Sequence, residues 1–142
     1  MDRSSAEAAR IKRLAARDRL MALLGIECGD GGSGRAAVSL AVRDDHLNFN
    51  GTCHGGVIFA LADSAFGLAS NSHGVIAAAI DAHITYQVAV KTGDTLTATA
   101  VEVSRSRKLG VYRIDVTRQD GAIVSTFTGT VYVTERPNEE GT

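Results

Sequence analysis

Residues 55–71 form a segment that is apolar on nearly every side of a helix and carries a single charged residue, Asp63. Its apolar side chains are Val57, Ile58, Leu61, Ala62, Ala65, Phe66, Leu68 and Ala69. A helix that is apolar all round is buried at the centre of a fold, because no face of it favours water. A membrane span would need roughly 18 or more apolar residues, which this run does not supply. The segment therefore predicts one long central helix around which the rest of the chain packs.

The segment before this helix predicts an N-terminal helix within residues 1–24, followed by a short strand. Apolar residues recur there with helical spacing on one face: Ile11, Leu14, Met21 and Leu24. The pattern stops at Gly25, a usual residue just past a helix end. Residues 29–34 (GDGGSG) have the composition of a turn, and residues 35–43 alternate in the manner of a strand.

The segment after the helix predicts four long strands at residues 75–90, 94–106, 110–119 and 122–134. Turn residues separate these runs, as in antiparallel strands linked by hairpins. Residues 135–142 are expected to form a flexible tail. One antiparallel sheet wrapped around one long central helix packs these elements economically, so we expect an α+β fold with a single domain over residues 1–142.

Composition excludes several functional classes. The chain has 142 residues, of which 44% are hydrophobic, and a formal net charge of −1. A domain of this size buries enough surface to fold without disulfides, and its near-neutral charge argues against nucleic-acid binding. Two cysteines, Cys28 and Cys53, are too few for a disulfide framework. We expect a cytoplasmic protein without a membrane segment.

The charge is distributed unevenly. Between His46 and Val90 the only formally charged residues are Asp63 and Asp81. The same stretch holds all four histidines, which are His46, His54, His73 and His83. Their spacing lacks the close ligand pair typical of zinc sites, so no metal site is expected. Cys53 beside His54 is expected to be a small packing residue, because adjacent side chains rarely point the same way and no third group orients such a pair.

The start of the central helix is a candidate donor site. Gly55 and Gly56 open the helix, where backbone N–H groups lack intrahelical acceptors and can bind an oxyanion or a polarised carbonyl. Asp63 lies two turns later among apolar neighbours, where burying an unpaired carboxylate is costly. Alternatively, Asp63 has no functional role and its carboxylate is satisfied by a hydrogen bond from a neighbouring backbone group or from Ser64.

The spacing of these two groups limits how they can act together. Gly55 and Asp63 are eight residues apart, which is about 12 Å along one helix. A base and an oxyanion donor must each lie within about 3 Å of their atoms on one reacting group. Two antiparallel copies of the helix could meet this requirement across a two-fold axis, with Gly55 of one subunit facing Asp63 of the other. We therefore infer an obligate dimer with two composite sites.

The run NFNGTCHGGVIFALADSAFGLASNS closely resembles the helix motif of hotdog-fold acyl-CoA thioesterases of the phenylacetate-degradation (PaaI) type. The segments DTLTATAVEV and GVYRIDV resemble the later strands of that family, so that the similarity spans about residues 20–134. The resemblance implies the hotdog fold and an acyl-CoA substrate, with no cofactor apart from the coenzyme A that the substrate carries. It also implies a homodimer that assembles further into a dimer of dimers, a homotetramer.

By motif position the resemblance implies roles for four residues. Gly55 would polarise the thioester carbonyl, and Asp63 of the partner subunit would act as base or nucleophile. Asn48 and His54 would position the substrate and the attacking water. Some relatives hold that water with a serine in the segment AAAIDAHITY, where this chain has Ala79. Asp81 on the same strand is therefore a further candidate, or equally an ordinary polar-face residue.

The implied substrate is an acyl-CoA with an aryl or medium-chain acyl group, such as phenylacetyl-CoA or hydroxyphenylacetyl-CoA. The acyl group would lie in the apolar space between the paired helices, near Phe59, Phe66 and Leu68. A basic segment with no acidic residue between Glu102 and Asp115 is the candidate for the phosphates. Its candidate side chains are Arg105, Arg107 and Lys108. The alternative for this segment is a solvated hairpin tip.

Two other functions remain open from the sequence. An acyl-thioester dehydratase on the same fold would need a histidine and an acid, which His54 and Asp63 could supply. A non-enzymatic acyl-CoA-binding module would bind the same ligand without releasing free thiol. Hydrolysis of the thioester is the function that the sequence favours.

Overall fold

The computed structural model describes residues 3–140. The helices are α1 (Arg3–Ala16), α2 (Arg19–Leu24) and α3 (Gly55–Ser70), with a single 3-10 turn at Asp44–His46. The strands are β1 (Glu27–Gly32), β2 (Arg35–Ala41), β3 (Val75–Tyr86), β4 (Thr95–Arg105), β5 (Leu109–Arg118) and β6 (Ile123–Pro137). None of the helices within residues 3–140 is long and apolar enough to cross a membrane.

The strands form one six-stranded antiparallel sheet in the order β1-β2-β4-β5-β6-β3. Helix α3 packs against strands β2 to β6. Alternate residues of each inner strand point to this helix and are buried, as Leu96, Ala98 and Ala100 show in β4. This confirms the predicted α+β fold, an antiparallel sheet wrapped around a long helix.

Two details of the sheet differ from the prediction. Strand β3 pairs with β6 and not with β4, because alternation identifies strands but does not choose their neighbours. In the glycine-rich segment predicted as a turn, residues 29–32 belong to strand β1, paired with β2, and only Ser33 and Gly34 form the turn. A Cβ built at Gly31 would lie 2.9 Å from Ile11 Cδ1 of α1, so a glycine there permits the close approach of that helix.

The N-terminal segment forms two helices where one was predicted. Asp18 caps α2, and its Oδ1 accepts a hydrogen bond of 2.9 Å from the backbone N–H of Met21. Such a side-chain cap satisfies a helix-start donor and favours a new helix at this point. Gly25 ends α2 with φ of 81°, as its position in the sequence predicted. Residues 1 and 2 of the predicted helix lie outside the described residues.

The predicted flexible tail is wrong for residues 135–140. Strand β6 runs to Pro137, and the Asn138 side chain donates to the backbone oxygens of Asn71 (2.7 Å) and Val75 (3.1 Å). Glu139 pairs with Arg13 at 2.8 Å. These contacts join the end of the chain to α1 and to the end of α3. Residues 141 and 142 lie outside the described residues.

The composition of helix α3 predicted burial on every side. In the single chain, however, one face of the helix is exposed. Gly56, Asp63 and Gly67 are exposed, and Ala60 is half-buried between them. Spacings of four, three and four residues place these four positions on one face of a helix. Strand β3 is the open edge of the sheet next to this helix, and its Ile80 is 59% exposed. One chain therefore leaves an apolar helix face and a strand edge uncovered.

Candidate functional site

The first turn of α3 keeps one backbone donor free. His54 is the N-cap, and its Nδ1 accepts a 2.8 Å hydrogen bond from the Gly56 N–H. The N–H of Val57 donates to the His54 carbonyl oxygen at 2.9 Å. The Gly55 N–H donates to no group within residues 3–140. Gly55 is therefore the open donor at the positive end of the helix, whereas His54 occupies the neighbouring donor of Gly56.

Tyr86, which the sequence analysis missed, lies over the start of the helix. Its hydroxyl donates to the Gly55 carbonyl oxygen at 3.0 Å. A Cβ built at Gly55 would lie 3.4 Å from the Tyr86 ring. Partial burial raises the pKa of the Tyr86 phenol, so the hydroxyl keeps its proton and remains a donor. The sequence offered one indication of this position: the alternation of side chains along the strand places Tyr86 on the same face as the apolar Ile84.

Gly55 and Tyr86 line a pocket of about 270 Å³ at the helix start. Its other walls come from the loop before α3 and from the segment after β3. These lining residues are Thr52, Cys53, Ile58, Gln87, Val88, Ala89 and Val90. The pocket thus presents one free N–H and a phenol at an opening lined mainly by small and apolar groups.

Asn48 shapes the loop that leads into this pocket. Its Oδ1 accepts from the backbone N–H groups of Asn50 (2.8 Å) and Thr52 (3.2 Å), and its Nδ2 donates to Thr52 Oγ1 at 3.1 Å. Side-chain bonds of this kind mimic a backbone turn. In the single chain the amide is therefore committed to the loop, and it positions the segment before Gly55.

Asp63 opens onto a second groove, of about 300 Å³, on the uncovered face of α3. The groove is lined by Leu14, Asp18, Leu20, Ala60, Ser64, Gly67, Leu68 and Asn71. Restricted solvation by these walls raises the pKa of the Asp63 carboxyl, and the negative charge of Asp18 raises it further. The hydroxyl of Ser64 donates to the Ala60 carbonyl oxygen at 2.7 Å, so it does not satisfy Asp63.

The two pockets share no lining residue in the single chain. Gly55 belongs to the first pocket and Asp63 to the second, as their eight-residue separation on one straight helix requires. The structure thus provides a free backbone N–H donor at Gly55 and a carboxylate with a raised pKa at Asp63. It does not bring them together within one subunit.

The structure corrects one of the two predicted aromatic contacts of the acyl group. Phe66 is only 1% exposed, and its ring lies over Gly129, where a Cβ would be 2.6 Å away. Phe66 also packs against Tyr112 and Phe127, so it belongs to the core between helix and sheet. Phe59 is half-buried with its ring centroid 5.3 Å from that of Phe127, so part of its side chain stays accessible in the single chain.

The basic segment divides into a structural and an exposed part. Arg105 donates to the Ser70 carbonyl oxygen and to the Tyr112 hydroxyl, both at 2.9 Å, and Tyr112 in turn donates to Glu102. This half-buried network corrects the prediction that Arg105 contacts a phosphate. Arg107 and Lys108 are exposed at the turn after β4 and line a shallow pocket with Tyr132 and Thr134.

Asp81 lies away from both pockets. It pairs with Thr130 of β6, whose neighbours Gly129 and Val131 are buried toward α3. Alternation therefore places Thr130 and Asp81 on the outer face of the sheet. The single chain offers Asp81 no contact with the start of α3.

The four histidines are scattered, although the sequence groups them. His46 is buried and donates from Nε2 to the Leu24 carbonyl oxygen, while His83 is exposed on the outer face. His73 places one ring nitrogen 3.2 Å from Glu7 and the other 2.8 Å from Glu102. Within residues 3–140 no three His, Cys, Asp or Glu side chains converge on a position that could hold a metal ion.

Comparisons with known proteins identify relatives over most of the chain. Residues 50–125 match the model of the thioesterase superfamily. Acyl-coenzyme A thioesterase PaaI of Escherichia coli K12 is 40% identical over 106 residues, which is 75% of this chain and 76% of that protein.

Solved structures agree with this assignment. The E. coli PaaI protein from the phenylacetic acid degradation operon superposes with a TM-score of 0.93 at 32% identity, over 96% of this chain and 99% of that one. A hypothetical thioesterase protein of Streptococcus pneumoniae TIGR4, solved with coenzyme A, superposes with a TM-score of 0.76 at 32% identity, over 80% of this chain and 91% of that one.

We predict that Cys53 is a poor nucleophile despite its place beside His54. Its thiol is buried, which raises its pKa to about 11, so at pH 8 only about one molecule in a thousand carries the thiolate. Cys28 is half-buried and serves as the internal control. Mass spectrometry should show iodoacetamide labelling Cys53 at least tenfold more slowly than Cys28. Faster labelling of Cys53 would indicate an activated thiolate.

Proposed function

The chain belongs to the thioesterase superfamily, and from that premise we propose that it hydrolyses acyl-CoA thioesters at a site shared by two subunits. It is a thioester hydrolase of the hotdog fold and PaaI type. The observation that carries the composite site is the separation of the Gly55 N–H and the Asp63 carboxylate into different pockets of one chain.

The uncovered surfaces of the chain support a two-fold dimer. An antiparallel partner helix laid along Gly56, Ala60, Asp63 and Gly67 would meet small side chains that permit close approach. Strand β3 adjoins this face and can pair with the same strand of the partner across the two-fold axis, because its outer edge is unpaired in the sheet. In this arrangement Gly55 of each subunit faces the partner's Asp63.

In the proposed reaction the thioester carbonyl oxygen accepts a hydrogen bond from the Gly55 N–H, and the helix dipole stabilises the negative charge that develops there. Asp63 of the partner either removes a proton from a water molecule that attacks the carbonyl carbon, or attacks that carbon itself and forms an acyl anhydride that water then hydrolyses. The C–S bond breaks, coenzyme A leaves as a thiolate that is then protonated, and the free acid is released. Because the overall reaction adds only water, it requires no redox cofactor, and we propose none beyond the substrate's coenzyme A.

The exposed basic turn fits the phosphates of coenzyme A. Arg105 binds the Ser70 carbonyl oxygen, so this turn lies at the C-terminal end of α3. In an antiparallel pair of helices, the C-terminal end of α3 in one subunit lies near the start of α3, and hence near Gly55, in the other subunit. Arg107 and Lys108 of one subunit would then contact the phosphates of a substrate whose carbonyl binds the other subunit.

The proposed acyl group is aryl or of medium length, with phenylacetyl-CoA and hydroxyphenylacetyl-CoA as leading candidates. The apolar walls of the groove beside Asp63, including Leu14, Leu20 and Leu68, suit such a group. The relation to the PaaI protein of a phenylacetic acid degradation operon supports the aryl candidates and a role in phenylacetate degradation. Half-buried Phe59 on α3 is a further candidate for contact with the acyl group.

A dimer of dimers is the proposed assembly, forming a homotetramer. The outer face of the sheet carries a group of threonines, Thr97, Thr99, Thr126, Thr128 and Thr130. Such a face can pack against a second sheet. We propose a cytoplasmic location, which fits the free thiols of Cys28 and Cys53.

Replacing Asp63 by Asn should lower kcat for acyl-CoA hydrolysis at least about 100-fold, because the amide cannot act as a base or nucleophile. Thiol release from phenylacetyl-CoA and from straight-chain acyl-CoA substrates measures this change. Asp30→Asn, at an exposed position on β1, is the matched control and should retain the wild-type rate. Near-wild-type turnover by Asp63→Asn would contradict the proposed mechanism, and absence of thiol release by the wild-type protein would favour a binding module.

The acidic limb of the pH profile should depend on Asp18. Asp63 is active when deprotonated, so kcat falls as the pH falls through its raised pKa. Burial is the larger cause of the raised pKa of Asp63, and the charge of Asp18 adds to it. Asp18→Asn removes that charge while retaining a side chain that can cap α2. The variant should keep more of its maximal rate at low pH, with its acidic midpoint displaced to lower pH. Asp30→Asn, exposed on β1, should leave the midpoint in place, and an unchanged midpoint in Asp18→Asn would contradict the account.

A further inference from the structure

Phe49 is the most exposed large apolar side chain within residues 3–140, at 99% of its possible accessibility. A fully solvated phenyl ring gains stability when another apolar group covers it, because its apolar surface is then removed from water. It lies in the loop that leads to Gly55, six residues before that donor.

The loop holds Phe49 in a defined position. The backbone N–H of Asn48 donates to the Thr52 carbonyl oxygen at 2.8 Å, and that of Gly51 donates to the Asn48 carbonyl oxygen at 3.1 Å. The Asn48 side chain adds its bonds to Asn50 and Thr52 from within the turn. Phe49 is thus carried at the tip of a stiff projection, so little conformational entropy is lost when the ring is covered.

The two-fold arrangement determines which surface this projection meets. Where Gly55 faces the partner's Asp63, the antiparallel arrangement sets the loop before Gly55 nearest to the C-terminal half of the partner helix. That half presents Gly67, Leu68 and Asn71 to the groove that begins at Asp63. A Cβ built at Gly67 would have no atom within 4 Å, so the floor of the groove is open at this level.

We propose that Phe49 of each subunit inserts into the partner's groove, over Gly67 and between Leu20 and Leu68. The ring then closes the end of this groove that is farther from Asp63, where the acyl group would otherwise extend. The reacting carbonyl lies at Asp63, so an acyl chain that extends along the groove meets this ring. Phe49 is then a specificity-determining residue that favours short or compact aryl acyl groups over long chains. This proposal rests on the composite dimer of the proposed function.

Disulfide cross-linking tests the placement without reference to activity. In a Cys28→Ser background, the pair Phe49→Cys and Leu20→Cys should form a covalent dimer on non-reducing gels after mild oxidation with copper phenanthroline. Leu20 is half exposed in the single chain, so its thiol is accessible to a partner. The control pair is Phe49→Cys with Val103→Cys, since Val103 is exposed on β4 outside the groove. Equal cross-linking in both pairs, or none in the first, would overturn the placement.

Substrate profiles test the specificity. With acyl-CoA substrates from two to twelve carbons and phenylacetyl-CoA, Phe49→Ala should raise the ratio of kcat/KM for the ten-carbon over the four-carbon substrate at least tenfold. Phe49→Leu should restore much of the wild-type ratio, and Leu23→Ala, at another exposed apolar position, should leave it unchanged. An equal loss on all substrates, or an unchanged ratio, would overturn the specificity role. If the wild-type protein hydrolyses no thioester, the proposed function fails while the cross-linking result still decides the placement.

Discussion

The rigidity of helix α3 is the constraint on which the site depends. It holds the free N–H of Gly55 and the carboxylate of Asp63 at a separation that no side-chain rotation can close. A flexible loop between the two groups could bring them together, but a helix of 16 residues packed against five strands cannot. The chemistry of one chain is therefore divided between two pockets, and a second copy is the simplest means of reuniting it.

The same helix explains why the single chain leaves an apolar face and a strand edge uncovered. Its exposed face carries glycine and alanine around the one acid, and strand β3 next to it has an open edge. Small side chains lower the cost of bringing two helices close together, whereas a bulky face would hold them apart. In the proposed dimer, specificity, charge neutralisation and catalysis would all draw on both subunits, since each groove is lined by one chain and completed by the other.

The sequence predicted the features that depend on local pattern. Uninterrupted apolar periodicity identified α3, Gly55 marked its start, and the lone acid in that helix identified Asp63. Features that depend on tertiary packing were not predictable. An apolar side chain such as Phe66 could face either the sheet or the partner subunit, and the sequence does not distinguish the two. Only its contact with Gly129 in the folded chain shows that the ring enters the core. Arg105 looks like a free cation until the fold brings Ser70 and Tyr112 to it. Tyr86 gained its place over Gly55 from a strand pairing that alternation alone does not specify.

Subunit complementation tests the composite site most directly. Gly55→Pro removes the N–H at the first helical position, where proline is well tolerated, and Asp63→Asn removes the carboxylate. Each homodimer should be nearly inactive. In co-expressed protein isolated through two different affinity tags, each mixed dimer should hold one site with both defects and one intact site, so the preparation should recover up to about half of the wild-type thiol-release rate. A hybrid as inactive as its two parents would contradict the shared site, because each site would then contain both groups from a single chain.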